Sequence, residues 1–227
     1  IKSAQDFMAL LAHSAQKQAD AGDFSAARKI HHEIIAFLTE LFGPSHYKTR
    51  RARIDLNHLN RIAALDKKQR WEIKQAGEWV AESGKLREQF KYPLSILLLE
   101  KALPVYENYL GLADYETLST QALLALCHTL NKSLEKARAL YVSASMGMEA
   151  LLGADHPEYA TFPSFYGRNY QGAGEYLKAE NIYQRLMKIQ HKALGQDHPE
   201  YKLSLEQMAD LYRLMAGKYE KDRNVAA

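Results

Sequence analysis

Apolar residues followed by glycine recur along the chain at a regular interval. Gly153 and Gly195 each end a Leu-Gly pair, and each is followed, after one further residue, by Asp-His-Pro-Glu-Tyr. These two glycines stand forty-two positions apart, and stepping back by the same distance leads to Gly111, which also follows a leucine. A fourth copy, Gly43, lies sixty-eight positions before Gly111. Because this distance exceeds one period by twenty-six positions, the spacing predicts a repeat protein with an extra segment between its first two copies.

A second set of landmarks lies twenty-one positions before each of these glycines. The landmark residues are Gly22, Phe90, Lys132 and Gly174. Two residues after each landmark comes a large apolar residue: Phe24, Tyr92, Leu134 and Tyr176. Five residues after it comes a small one: Ala27, Ser95, Ala137 and Ala179. Another small residue precedes the landmark by seven positions: Ala15, Ser83, Ala125, Gly167 and, in the last unit, Ala209. Small residues let two helices approach closely, so each period predicts a helical hairpin whose helices cross at these positions.

Polar residues, prolines and glycines predict where the two helices of each hairpin begin and end. We call the first helix of each hairpin helix A and the second helix B. Asp-His-Pro-Glu opens helix A with a polar cap and with proline at the first helical position, where its missing N–H is not needed. The glycine after helix B is expected to supply a left-handed cap. Pro104 and Pro163 fall inside predicted helices, and we expect a kink at each. The predicted helices cover residues 1–21, 24–42, 45–64, 67–89, 92–110, 114–131, 134–152, 156–172, 175–194 and 198–216.

The C-terminal end of the pattern departs from the repeat. Residues 217–220, Gly-Lys-Tyr-Glu, predict a turn and the start of another helix B, one residue late in the repeat register. Only residues 221–227 follow, so we expect the chain either to stop inside a repeat or to end in a short capping helix. The last helix A would then lack cover on one face, with Met208, Leu211 and Tyr212 as candidates for exposure.

Composition agrees with this interpretation. Hydrophobic residues make up 47% of the chain and charged residues 25%, while 12 glycines and 6 prolines are too few for a turn-rich all-β fold. The predicted fold class is all-α, an α-α superhelix of antiparallel helical hairpins. Residues 1–227 are expected to form one repeat domain. Its hairpins are predicted at about 1–42, 67–110, 114–152, 156–194 and 198–227, and the extra helix at about 45–64.

Charge and cysteine content argue against several classes of partner. The net charge of +3 comes from 30 basic and 27 acidic residues that are thoroughly mixed, so no nucleic-acid partner is expected. The one basic cluster, residues 48–53, is interpreted as a solvated helix face. Cys127 has no cysteine to pair with and is expected in the core of a protein from a reducing, cytoplasmic compartment. No apolar stretch is long enough to span a bilayer, so no membrane partner is expected.

The linkers at 152–159 and 194–201, Leu-Gly-x-Asp-His-Pro-Glu-Tyr, resemble those of the tetratricopeptide repeat superfamily, in its kinesin-light-chain-like branch with the same repeat length. The turn at 174–180 and the pair of segments 209–212 and 217–220 carry the same resemblance. The segment 46–70 looks like a non-standard helix of some bacterial multidomain repeat proteins, whose arrays accompany effectors such as a caspase-like protease or a kinase. The branch typically uses a pair of asparagines in helix A to bind peptide backbones. The matching positions here are 122–123, 164–165 and 206–207, none of which holds asparagine, so the resemblance implies the fold and not the ligand.

No pattern of catalytic residues stands out, and we expect no enzyme, no cofactor and no metal site. His31-His32-Glu33 lacks the second histidine that a helical zinc site needs four residues after the first. His156 and His198 occupy equivalent caps and are interpreted as structural. Neither a nucleophile elbow nor a phosphate-binding loop occurs in the sequence.

The predicted function is therefore a scaffold that binds a peptide or protein on the concave face formed by successive A helices. In the repeat register, that face lies three residues before the small position and one and four residues after it. The candidate groove residues at these positions are Arg87, Thr129, Ser164, Arg168, Gln171, Glu206, Asp210 and Arg213. Ser119 is a further candidate about one turn further back on its helix. Arg168 and Asp210 together suggest an extended ligand of mixed charge. The alternative is a regulatory segment that controls an effector domain fused to the same chain.

Overall fold

The chain folds into helices alone throughout the part of the backbone that the structure describes. The computed structural model describes the backbone of residues 2–225, and within that range all side chains except those of residues 2–6, 160–163, 222, 224 and 225. The helices are α1 (Lys2–Asp20), α2 (Phe24–Phe42), α3 (Tyr47–Ala64), α4 (Lys67–Glu88), α5 (Tyr92–Tyr109), α6 (Tyr115–Leu130), α7 (Leu134–Leu152), α8 (Pro157–Gly172), α9 (Tyr176–Leu194) and α10 (Pro199–Val225). The predicted all-α superhelix of packed hairpins is confirmed.

Successive helices pack side by side. The pairs α1–α2, α4–α5, α6–α7 and α8–α9 form hairpins, and α5 packs on α6, α7 on α8 and α9 on α10. The predicted extra helix is α3, which packs on α2 and on α7. The core is a series of small apolar clusters between neighbouring helices, as expected when each unit is buried mainly by the next.

The small residues lie where the register places them. Ala179 is fully buried, and a Cβ atom added at Gly167 would lie 2.5 Å from the ring of Tyr183 on the opposite helix. Ser83 and Ser95 meet in the same way in the α4–α5 hairpin, where the Ser95 hydroxyl donates to the Ser83 carbonyl at 3.0 Å. The hairpin crossings therefore depend on side chains too small to separate the two backbones.

The landmark residues of the sequence form the turns between the two helices of each hairpin. All four of them adopt a left-handed backbone, with φ of 81° at Gly22, 61° at Phe90 and at Lys132, and 76° at Gly174. In each turn the following N–H bonds back to a carbonyl five residues earlier, such as Glu175 to Tyr170 at 2.9 Å. Two of the four copies keep this conformation although they carry a side chain that disfavours it.

The glycines that end the B helices adopt a different conformation from the predicted left-handed cap. Gly43, Gly153 and Gly195 combine φ of 87–92° with ψ of 147–166°. This extended region with positive φ is open to glycine and almost closed to other residues. The predicted left-handed cap is therefore wrong in its ψ angle. The backbone is extended here because the linker leads directly from helix B to the cap of the next helix.

The C-terminal segment corrects the sequence prediction. α10 runs as one helix from Pro199 to Val225, with no turn at Gly217 and no new helix B before the end of the described backbone. Gly217 lacks the positive φ of the four turn residues. Met208 and Leu211, expected to be exposed, are buried against α9, while Tyr212 is exposed as predicted. The face carrying Met208 and Leu211 was misjudged because it packs on the preceding hairpin.

Two further predictions concern single residues. Cys127 is fully buried, as predicted. Pro104 lies inside α5, and its expected kink stays a prediction. The backbone at Pro163 is part of α8, and the kink expected there also stays a prediction.

Candidate ligand-binding groove

A cavity of about 360 Å³, lined mainly by residues with polar side chains, lies between α8 and α10, two A helices of successive units. Its walls are Arg168, Gln171, Gly172, Tyr183, Gln207, Asp210 and Leu214. Three of the predicted groove residues, Arg168, Gln171 and Asp210, thus meet around one cavity. They come together because the repeat register places the same face of α8 and of α10 side by side.

The other candidates from these two helices lie outside the cavity walls. Arg213 is exposed beside the cavity and forms an ion pair with Asp210 one helical turn away. Glu206 is exposed on α10. Ser164 is buried in α8, so its side chain is not part of an open surface.

The three earlier candidates are not brought to this cavity. The Ser119 hydroxyl donates to the Tyr115 carbonyl at 2.7 Å, and the Thr129 hydroxyl donates to the Ala125 carbonyl at 3.0 Å. Both side chains therefore bond to the backbone of their own helix, α6. Arg87 is half-buried near the end of α4. The groove at the α8–α10 end is the part of the predicted face that has the form of a cavity.

Sequence reasoning missed two polar side chains of the cavity. The Tyr183 hydroxyl donates to the Gln171 side-chain oxygen at 3.1 Å, which fixes the orientation of that amide. The side-chain oxygen of Gln207 is buried and accepts no hydrogen bond from the part of the chain that the structure describes. Both residues have defined positions in the repeat register. Tyr183 matches Tyr141 one unit earlier, and Gln207 precedes the last small position by two residues. The sequence alone did not indicate that they share a cavity.

The charges of the cavity are of both signs. Arg168 is exposed and forms no ion pair with any described side chain, whereas the Asp210 carboxylate accepts from Arg213. Burial, opposed by the charge of Arg168, raises the pKa of Tyr183 to about 12, so this phenol remains a hydrogen-bond donor at neutral pH. The cavity therefore offers an available cation, two amides and a phenol, which are groups that bind polar backbone and acidic side chains.

A larger and more apolar cavity, of about 860 Å³, lies at the other end of the chain between α1, α2 and α3. Its apolar lining includes Met8, Ala12, Ile34, Leu38 and Ala52, and its wall is completed by Glu158 from the start of α8. The sequence reasoning did not predict this cavity, because α3 lies outside the repeat register that was used to define the concave face.

The histidines with repeat positions serve as helix caps. The Nδ1 atom of His156 accepts from the Glu158 N–H at 3.1 Å, and that of His198 accepts from the Glu200 N–H at 3.3 Å. His46 caps α3 in the same way, by accepting from the Lys48 N–H at 3.3 Å. Their structural interpretation is therefore in keeping with the geometry, since an N-terminal cap satisfies a free backbone donor of its helix.

The fold and the groove together define a helical-repeat protein of the solenoid class, in which each hairpin buries its neighbours. Residues 160–221 match the family model of the tetratricopeptide repeat. The segment that forms α8, α9 and most of α10 is therefore similar to tetratricopeptide repeats. None of its helices within the described residues is long and apolar enough to cross a membrane.

The fold is similar to that of solved kinesin-light-chain-like repeats. A crystal structure of the nearly identical TPR-like repeats of a putative kinesin light chain from Podosopora anserina has a TM-score of 0.50 and 16% sequence identity, with 96% of this chain and 91% of that chain covered. A second structure of the same repeats gives 0.49 and 16%, with 96% and 92% covered. No curated protein matches the chain. At this level of identity the likeness concerns the fold alone.

Proposed function

We propose that this chain is a non-catalytic scaffold that binds a peptide or an extended protein segment in the cavity between α8 and α10. Tetratricopeptide repeats are in general protein–protein interaction scaffolds, which supports the class of partner. A reducing, cytoplasmic location suits its single buried thiol, Cys127. A regulatory role towards a fused effector would use the same face for a partner within the chain.

The observation that carries this proposal is the buried side-chain oxygen of Gln207. A buried acceptor that lacks a donor costs about 1–3 kcal/mol. A ligand removes this cost when its binding turns the Gln207 amide into the cavity and donates an N–H group to the amide oxygen. The backbone of an extended peptide offers such a donor at every residue except proline, and the nearby Gln171 amide can pair with the same backbone.

The charges favour a ligand that carries an acidic group. Arg168 is available for a carboxylate, and guanidinium–carboxylate pairing gives both energy and orientation. Asp210 lies on the opposite wall and disfavours a second acidic group in its immediate vicinity. The preferred ligand is therefore an extended segment with an acidic side chain at one position and a neutral or basic one nearby.

A peptide-display selection tests the proposal and needs no natural partner. Random peptides are selected on the intact chain, and the affinity of the selected peptides is measured for Gln207→Leu, for Arg168→Glu and for the pair Arg168→Glu/Arg213→Glu. Lys101→Glu, an exposed charge reversal on α5, is the matched control. We expect at least a tenfold loss of affinity for the cavity variants and no loss for the control. Peptides that bind the cavity variants and the parent equally would rule this surface out.

A further inference from the structure

Helix α3 presents two chemically different faces to its two neighbours. Towards α2 it is apolar: Ala52 packs in the cluster of Ile34 and Leu38, and Leu56 and Leu59 pack around Ala27. The three helices α1, α2 and α3 thus form a unit with its own apolar interior. Burial of these apolar side chains stabilises the three helices as one folded unit.

Towards the rest of the chain α3 is mainly charged. Arg50 forms an ion pair with Asp155 at 2.7 Å, and Arg51 forms one with Glu158 at the start of α8. The Arg51 guanidinium also lies 3.8 Å from the centre of the Tyr115 ring. The basic cluster predicted to be a solvated face is therefore only partly so, because these two arginines bind the array.

A second group of contacts ties the other end of α3 to the start of α6. Asp114 accepts from Arg61 at 2.6 Å and lies 3.1 Å from the Nδ1 atom of His58. Ile54 packs against the α6–α7 cluster, and Ile62 packs against the α4–α5 cluster. The Tyr47 ring of α3 also meets the His156 ring before α8, with 5.5 Å between the ring centres. The two charged contact groups sit at the linkers that precede α6 and α8.

The charges on the two sides of this boundary are complementary. Of the five basic residues of α3, Arg50, Arg51 and Arg61 pair with carboxylates across the boundary. Lys48 and Arg53 contact their own side of it, at the Phe42 ring and the Pro44 carbonyl. The facing linkers and helix starts carry four carboxylates, those of Asp114, Glu116, Asp155 and Glu158. The ion pairs of Asp155 and Glu158 are partly exposed, so each contributes little and is screened by salt. The Asp114 carboxylate, at 3% exposure, is better shielded from solvent. Polar interfaces within a chain also allow the two sides to move relative to each other.

We propose that α1–α3 form a hinged unit that docks reversibly, through this charged interface, on the amino-terminal ends of α6 and α8. The hinge is the two-residue connection, residues 65–66, between α3 and α4. Docking completes the wall of the 860 Å³ apolar cavity, because Glu158 reaches it from α8. A ligand of that cavity that contacts Glu158 would therefore favour the docked state. Undocking would lower the affinity for this ligand by the same free energy by which the ligand stabilises docking.

Distance measurements between two spin labels test the proposal on the whole chain. Lys29→Cys on α2 and Lys188→Cys on α9 supply exposed labelling sites, and the native Cys127 is fully buried and stays unlabelled. In the parent we expect one main distance in low salt and a second, longer one in 1 M NaCl. Arg50→Glu with Arg51→Glu should populate the longer distance in low salt as well. Adding Asp155→Arg and Glu158→Arg should restore the single distance.

The matched control reverses two cations elsewhere in the array. Arg138 and Lys178 both pair with Glu175, and Arg138 is as exposed as Arg50, at 29% of its side chain. Arg138→Glu with Lys178→Glu should leave the label distance unchanged. An unchanged distance in the Arg50 and Arg51 variant would overturn the proposal, as would failure of the swapped charges to restore docking. A general loss of helical signal on reversal would also overturn it, because a separable unit leaves both parts folded.

Discussion

At the residue scale, the backbone of Lys132 carries a conformational cost that glycine would avoid. Lys132 holds a φ of 61° in the turn between α6 and α7, at the position where two other turns have glycine. The left-handed region costs a residue with a Cβ atom about 1–2 kcal/mol, part of which is offset because glycine loses more entropy on folding.

Lys132→Gly should therefore stabilise the chain by about 0.5–1 kcal/mol, seen as a higher midpoint of denaturation by urea. The control is Ala139→Gly, an exposed position inside α7, which should lower stability by about 1 kcal/mol because glycine is a poor helix former. If both variants lose stability to the same extent, the strain assigned to Lys132 is absent.

His156, the cap at the start of α8, makes the stability of the folded chain depend on pH. Burial, together with the guanidinium groups of Arg50 and Arg51, lowers the pKa of His156 to about 4, from 6.5 in the absence of such contacts. Below pH 6.5 the unfolded chain binds a proton that the folded chain does not. The contribution of neutral His156 to the free energy of unfolding is thus complete above pH 6.5 and is lost as the pH falls towards 4.

We expect His156→Asn to reduce the loss of stability between pH 7 and pH 4 by about 2–3 kcal/mol. Asparagine keeps the cap, because its side-chain oxygen accepts from the same backbone N–H, but it does not titrate. Denaturation midpoints at several pH values measure the difference between parent and variant. Equal slopes for both would mean that His156 is readily protonated in the folded chain.

At the element scale, the repeat pattern predicted most of the helices because each one satisfies two requirements at once. Ala179 and Gly167 had to be small for the α8–α9 crossing, and Gly174 adopts the left-handed backbone of the turn between these helices without strain. Local residues decide both features, so the sequence indicated them. α10 shows where this reasoning fails, since Gly217 permits a turn but does not require one. Glycine is tolerated inside a helix, and within the described residues no later helix packs against the end of α10 to favour the turn.

The contrast between Gly217 and Gly195 tests the continuity of α10. A Cβ atom added at either residue meets no atom within 4 Å, so packing does not decide the outcome. Gly217→Ala should stabilise the chain by about 1 kcal/mol, because alanine favours helix. Gly195→Ala should destabilise it by about 1–3 kcal/mol, because φ of 87° and ψ of 166° are almost closed to alanine. Thermal denaturation measures both, and a loss of stability in Gly217→Ala would favour the turn predicted from the sequence.

At the scale of the whole molecule, the position of α3 could not be predicted from the sequence. The extra stretch between the first two copies of the repeat indicated an additional helix, and its basic cluster suggested only a solvated face. Its partners, Asp114 and Asp155, lie 53 and 105 residues from Arg61 and Arg50. No local pattern links such pairs. The α8–α10 cavity was easier to anticipate, because Arg168 and Asp210 are one full repeat apart and share a register.

Asp114 and Asp155 allow us to compare how strongly a buried and an exposed carboxylate hold α3 in place. Both carboxylates pair with arginines of α3, but the Asp114 side chain is 3% exposed and that of Asp155 is 62% exposed. Although burial raises the pKa of Asp114, His58, the Glu116 N–H and Arg61 lower it further, so it is held below its usual value and the charged form is favoured. Asp114→Asn keeps the cap of α6 and removes the charge, which leaves Arg61 and His58 without their partner.

Asp114→Asn should therefore destabilise the chain by about 2–3 kcal/mol, since hydrogen bonds to charged groups are worth more than neutral ones. Asp155→Asn should change stability by no more than about 1 kcal/mol, because its ion pair is exposed to solvent. Urea denaturation at neutral pH and low salt measures both, and 1 M NaCl should reduce the smaller effect more than the larger. Equal losses for the two variants would mean that the α6 end of the interface is no better shielded from water than the α8 end.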